Sequence, residues 1–144
     1  MKSLDTNVLL YATNTDCTEH EAAKALVSRA LEEKDLWVVA DQVWFELYRL
    51  LRNPLVLEQP LSADEAAETI RWYHDKSGWM RCAWEPGMMR ELSSLWGKTD
   101  FAARNTFDAV LAVTLKAHGV TKFFTRNAKD FAGFGFFHVE NPLR

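Results

Sequence analysis

The chain is poor in cysteine and has no long apolar run. Only two cysteines occur in 144 residues, Cys17 and Cys82, far apart and without companion ligands, which argues against a disulfide scaffold and a zinc knuckle. No window approaches the roughly 18 apolar residues of a membrane span. The opening Met-Lys-Ser-Leu-Asp puts an acid at position 5, ahead of the short apolar run Val8–Tyr11. A signal peptide needs a basic start followed by an uncharged apolar stretch, so none is expected. Together these absences point to the cytoplasm and to reduced thiols. There is no Gly-x-x-x-x-Gly-Lys loop, no Gly-x-Gly-x-x-Gly fingerprint and no Gly-x-Ser-x-Gly elbow. His20, His74, His118 and His138 are scattered without ligand spacing. No internal repeat or low-complexity stretch is found.

Strong positive charge is also missing. The net charge of −3 excludes a generally basic nucleic-acid binder. The distribution says more than the total. Lys98, Arg104, Lys116, Lys122, Arg126 and Lys129 face only Asp100 and Asp108 within residues 98–129, so that stretch is locally basic while the rest is acidic. A basic surface beside an acidic site suits a phosphate-backbone substrate; ordinary solvated charge is the alternative.

What is present is enough apolar material for a core. The hydrophobic fraction is 48% and the charged fraction 26%, and the length suits one domain over residues 1–144. Short extended runs alternate with helical patterns. A first strand ends at Asp5-Thr6-Asn7. Ala22, Ala23, Leu26, Val27, Ala30 and Leu31 recur at helical spacing within His20–Lys34. Leu36–Ala40 reads as a buried strand. Asp41 is placed to cap the helix Gln42–Arg52, which Asn53-Pro54 stops. Ser62-Ala63-Asp64-Glu65 forms a capping box for a helix to about Lys76. Trp79–Trp84 follows as a strand, then a helix with Met88, Leu92, Leu95 and Trp96 on one face. Asn105 is placed to cap Thr106–His118, which is apolar almost all round (Phe107, Val110, Leu111, Val113, Leu115) and should be central and buried. Lys122–Thr125 is a strand, Asn127–Phe131 a turn or short helix, and Phe136–Val139 a last strand. Of six tryptophans, Trp44, Trp72 and Trp96 lie on helices where packing accounts for them. The pattern predicts an α/β fold, a mainly parallel sheet with helices on both faces, whose ligands bind at the carboxyl ends of the strands.

Four carboxylates fall near those ends. Asp5 follows the first strand. Glu46 lies at the border of the apolar arc formed by Val43, Leu47, Leu50 and Leu51. Asp108 is in the first turn of the apolar helix, and Asp130 follows the Lys122–Thr125 strand. Each has an ordinary structural role: an Asx-turn at Asp5, a solvated helix acid at Glu46, a dipole-favoured first-turn acid at Asp108, a turn cap at Asp130. Gathered in one crevice they would repel one another and raise each other's pKa. A divalent cation removes that cost, and hard oxygen donors suit Mg²⁺ or Mn²⁺.

The residues then resemble a known family. Leu4-Asp5-Thr6-Asn7-Val8-Leu9-Leu10-Tyr11 is similar to the opening of PIN domains, especially of the VapC-type toxins of bacterial toxin–antitoxin pairs. Val43-Trp-Phe-Glu-Leu-Tyr-Arg49 resembles the stretch holding the second acid, and Phe107-Asp108-Ala109-Val-Leu-Ala112 the third. Phe124-Thr125-Arg126-Asn127, Asp130-Phe131 and Asn141-Pro142 resemble the ending. The ordered set covers essentially the whole chain.

The resemblance implies a three-layer PIN-like fold and metal-dependent hydrolysis of RNA phosphodiesters. Asp5 and Asp108 would be direct or near-direct ligands, while Glu46 would orient a metal-bound water or act as base. Thr6, Thr125 and Asn7 would steady the site by hydrogen bonds, and Arg126, Lys129 and Arg104 would meet the RNA backbone. Many PIN domains have an acid where this chain has Asn127. Either Asp130 supplies the fourth carboxylate, or three acids act with Asn127 or Thr125. A cognate antitoxin and a homodimer are also implied, with helices 62–77 and 20–34 as the expected dimer face. Two rival expectations are an RNA-processing nuclease without an antitoxin and a non-catalytic binding module on the same fold; retention of Asp5, Glu46 and Asp108 argues against the latter.

Overall fold

The computed structural model describes residues 1–143. In chain order the elements are β1 (Lys2–Leu4), α1 (Thr6–Thr13), α2 (His20–Glu32), β2 (Val38–Ala40), α3 (Asp41–Leu51), α4 (Ala63–Lys76), β3 (Met80–Cys82), α5 (Met89–Trp96), α6 (Thr106–Ala117), β4 (Lys122–Phe124), α7 (Ala128–Ala132) and β5 (His138–Glu140). The α/β expectation is met.

Every strand pairing is parallel. β1 lies against β4, β4 against β5, and β2 against β3. The expected central sheet is realised as a three-stranded and a two-stranded ladder. One parallel bridge between Lys2 and Trp37 joins them, which gives the order β3-β2-β1-β4-β5. The chain moves outward from β1 through β2 to β3, then returns to the other side of β1 as β4. The order thus reverses beside β1 and β4, the place where a parallel α/β sheet opens a crevice at its carboxyl edge.

The main core gathers Leu4, Trp37, Val38, Leu47, Phe123 and Phe124. A smaller cluster of Met88, Leu92, Ala109 and Val113 lies under α5. Because α6 gives Leu111, Ala112 and Leu115 to the first and Ala109 and Val113 to the second, it needs apolar residues on nearly all sides. Phe107 is the exception. It was expected inside and is 70% exposed.

Local differences from the sequence reading have physical reasons. The run Val8–Tyr11 belongs to α1, which begins one residue after Asp5; the acid that ends the strand also caps the helix, accepting from Thr6 N–H at 2.8 Å. Ala40, not Asp41, holds the cap position of α3, and no side chain caps that end. Asn105 stands at the cap of α6 with φ −94° and ψ 12°, outside the extended region of a capping residue, and caps nothing. The last strand shifts from Phe136–Val139 to His138–Glu140 because Phe134, Phe136 and Phe137 instead form an aromatic cluster with Phe123 and Phe131. Trp44 is buried, but Trp72 and Trp96 are 47% and 38% exposed, so packing accounts for only the first. The apolar residues Ala23, Leu26, Val27 and Ala30 of α2 are spent on the core. Of the two helices of the expected dimer face, α4 keeps a large exposed apolar residue, Trp72, whereas α2 exposes only the small Ala25 among its apolar residues. The Ser62–Glu65 capping box forms with both of its hydrogen bonds. No helix among the described residues is long and apolar enough to cross a membrane.

Candidate active site

β1 and β4 end side by side, and their next residues make the centre of the site. Asp5 continues the ladder through its N–H to the Phe124 carbonyl (2.9 Å), so its side chain leaves the sheet edge in a fixed direction. Asp5 is only 6% exposed. Its Oδ1 accepts from Thr6 N–H, and its Oδ2 accepts from the Thr125 hydroxyl at 2.7 Å and, more weakly, from Asn7 Nδ2 at 3.4 Å. Thr125 Oγ1 in turn accepts from the Asn127 N–H at 3.0 Å. Asn7 Oδ1 accepts from the Arg126 N–H at 3.1 Å, which sets the direction of its amide.

Two further acids close the ring. Glu46 on α3 accepts from the Thr6 hydroxyl at 2.9 Å through Oε2. Asp108 in the first turn of α6 accepts from Asn105 Nδ2 at 2.9 Å. Asp5, Glu46 and Asp108 line one pocket of about 150 Å³ together with Thr6, Asn7, Gln42 and Asn127. Burial pushes the Asp5 carboxyl up to about 6; hydrogen bonds from Thr125 and Thr6 oppose the rise, and the negative charges of Glu46 and Asp108 add to it. Burial also raises Asp108, with Asn105 opposing and the charge of Asp130 adding. Burial and mutual repulsion therefore both disfavour the ionised forms of these acids.

The pocket's donors suit a hard divalent cation: carboxylate, amide and hydroxyl oxygens, with no thiolate or imidazole. Among the described residues no three His, Cys, Asp or Glu side chains are placed as a ready-made ligand shell.

A family model for the PIN domain matches residues 3–136. The chain belongs to the PIN-domain family. It is 43% identical over 143 residues to Ribonuclease VapC24 of Mycobacterium tuberculosis, spanning 99% of this chain and 97% of that protein. Among solved structures, VapC20 of Mycobacterium tuberculosis, a sarcin–ricin loop cleaving toxin, superposes with a TM-score of 0.70 at 16% identity, covering 98% of this chain and 100% of that one. A chain of a toxin–antitoxin complex from Klebsiella pneumoniae gives 0.60 at 20% identity, over 99% of this chain and 98% of that one. At such identities these structures share the fold with this PIN domain.

The structure sorts the residues picked from the sequence. It brings together Asp5, Thr6, Asn7, Glu46, Asp108, Thr125 and Asn127. Asn127, not Asp130, stands on the wall of this PIN domain's acidic pocket. Asp130 lies in the adjoining cleft with Lys98, Arg104 and Asn105, and acts on Asp108 only through its charge. Half of the six cations in the basic stretch are committed elsewhere: Lys116 pairs with Glu91, Lys122 with Glu140, and Arg126 with Glu19. The Arg126 guanidinium also lies 5.3 Å from the Tyr11 ring centre and donates to the Tyr11 hydroxyl. Lys129 and Arg104 are exposed.

Sequence reasoning missed Gln42 and the second role of Asn105. Gln42 Nε2 donates to the Phe107 carbonyl at 3.1 Å, tying α3 to the start of α6 and so Glu46 to Asp108. Its polar side chain one position into a helix carried no signal of that tie. For Asn105 the signal was present: an amide three residues before an acid, opening a helix, is within reach of that acid as well as of the backbone.

Proposed function

We propose that the protein is a Mg²⁺- or Mn²⁺-dependent endoribonuclease acting in the cytoplasm, the toxin of a toxin–antitoxin pair, with a homodimer contact on α4. One observation carries the reading: Asp5, Glu46 and Asp108 converge on one pocket at the carboxyl edge of β1 and β4. Near-full-length similarity to a ribonuclease and the fold shared with toxins from toxin–antitoxin pairs support it.

When bound, the cation neutralises charge on the phosphate and lowers the pKa of a coordinated water. Asp5 and Asp108 would hold it, directly or through water. Thr125 and Thr6 fix both oxygens of Asp5, so the ligand needs no rearrangement. Glu46, aimed by the Thr6 hydroxyl, would orient the attacking water and take its proton. Asn127 fills the wall where a fourth acid stands in many PIN domains, as a neutral donor and acceptor toward phosphate. Arg104, with Lys98 in the cleft beyond Asp108, and Lys129 would meet the RNA backbone.

The test is incubation of the purified protein with total RNA and Mg²⁺, followed by sequencing of new ends. Wild type is expected to produce discrete new ends, and Asp108→Asn at least about a hundredfold fewer. Equal ends from both proteins would refute the assignment.

The tie of Arg126 to Tyr11 and Glu19 makes a separate prediction. Arg126→Ala is expected to lower kcat by roughly tenfold with KM for RNA nearly unchanged, because the loop that aims Asn7 loosens. If the guanidinium instead met a phosphate, KM would rise and its salt dependence would flatten. Steady-state kinetics at two salt concentrations separate the two.

A further inference from the structure

Two phenylalanines adjoin the site acids in sequence and are left in solvent: Phe45 before Glu46 is 73% exposed, and Phe107 before Asp108 is 70% exposed. Neither belongs to an aromatic pair among the described residues, although much of the remaining aromatic content is paired. Both border one slot of about 430 Å³, whose walls are mostly apolar and include Trp84 and Val110. Gln42 and Phe107 line this slot and also the acidic pocket, so the two cavities are neighbours that share this wall. The acidic pocket, at about 150 Å³, has room for a hydrated ion and a phosphate group. The base carried by an adjoining nucleotide must therefore lie outside it.

We propose that this slot receives an unpaired nucleobase of the RNA next to the scissile phosphate, stacked against Phe45 and Phe107. The inference rests on the ribonuclease reading above. That shared wall favours a base over an apolar peptide side chain. A phosphodiester held at Asp5 and Asp108 carries a base within a nucleotide's length of the shared wall. Every base presents a π-face to an exposed ring whatever its sequence. The slot also carries polar groups a base edge can use. Gln42 Nε2 is engaged by the Phe107 carbonyl, which leaves its amide oxygen as an acceptor, and Asp41 stands on the same wall. A base inside a duplex could not enter, so cleavage is directed to loops and single strands, where bases can be splayed out.

The test uses an RNA oligonucleotide spanning the cleavage site found in total RNA, and a series in which each nucleotide near that site is made abasic in turn. Binding is measured without divalent cation, so that no cleavage occurs, and KM and kcat are measured with Mg²⁺. In wild type one abasic position beside the scissile phosphate is expected to weaken binding by about tenfold or more. Phe45→Ala and Phe107→Ala should each raise KM for the intact oligonucleotide and shrink the abasic penalty at that position alone. Both side chains are exposed, so unchanged thermal melts are expected to show that folding is intact. An abasic penalty of the same size in wild type and both variants would overturn the base slot while leaving the nuclease standing. So would variants with unchanged KM that lose binding to a cognate antitoxin, which would make the slot a protein contact. A wild-type protein that neither binds nor cleaves RNA overturns both readings.

Discussion

Replacing Asp5 with Asn is expected to abolish RNA hydrolysis and, in the metal-free protein, to raise the melting temperature. The two effects have one cause. Asp5 is nearly fully buried, and that burial lifts its carboxyl to about 6 against an ordinary 3.8. The folded state thus holds a proton at Asp5 more tightly than the unfolded chain does. Stability from this group is fully present below about pH 4 and is lost as pH rises through about 6. At neutral pH the ionised side chain costs on the order of 3 kcal/mol, since each tenfold in proton affinity is worth about 1.36 kcal/mol. Asn carries no charge and keeps an oxygen for the Thr6 N–H, so most of that cost disappears, less the rearrangement its amide demands of Thr125. Activity should fall by a factor on the order of 10³, because removing groups that merely orient a ligand already costs 10–100-fold. The check is a set of thermal melts of both proteins from pH 4 to 8 in a chelator, with single-turnover cleavage in Mg²⁺. The gap between the melts should open as pH rises. A gap that stays constant, or a variant that cuts RNA at close to the wild-type rate, would contradict the assignment.

Trp37→Ala is expected to cost about 3–5 kcal/mol of folding stability, a large part of the total for a chain of this size. Trp37 is fully buried and its ring stacks on Phe124 with centroids 5.5 Å apart. Its backbone makes the bridge to Lys2, and its carbonyl accepts from the Met80 N–H at 3.0 Å. The ring therefore fills the seam where the two ladders meet, and its loss leaves a cavity beside β1 and against Phe124. Trp37→Phe keeps part of the stacking and should cost markedly less. Urea unfolding measures both, and a loss below about 1 kcal/mol for the alanine variant would mean that the seam is held by other contacts.

The elements that could be read from sequence were those whose local pattern and tertiary role agree. The Ser62–Glu65 box, the apolar run before Ala40 and the two-sided apolar helix α6 each state their environment within a few residues. The three acids that line one pocket were each marked locally: Asp5 ends a strand, Asp108 opens a helix, and Glu46 sits mid-helix at the border of an apolar arc. What could not be read depends on partners far along the chain. Arg126 looked like a free cation because Glu19, which engages it, lies 107 positions away. The helix α1 was hidden because one residue, Asp5, both ends a strand and starts a helix. Phe107 belongs to a helix that is apolar almost all round and so reads as buried throughout, an inference that fails at the helix's first turn, where Phe107 is exposed.

The hydrogen bond from Thr125 to Asp5 joins residues 120 positions apart. During synthesis Asp5 leaves the ribosome long before Thr125 exists, and folding proceeds from the amino terminus. Until the second partner emerges, Asp5 has neither the neighbour that anchors it nor the strand that holds it in place. The pocket's most buried acid is therefore among the last parts of the fold to find its place, since both of its distant anchors belong to β4 and the residue after it.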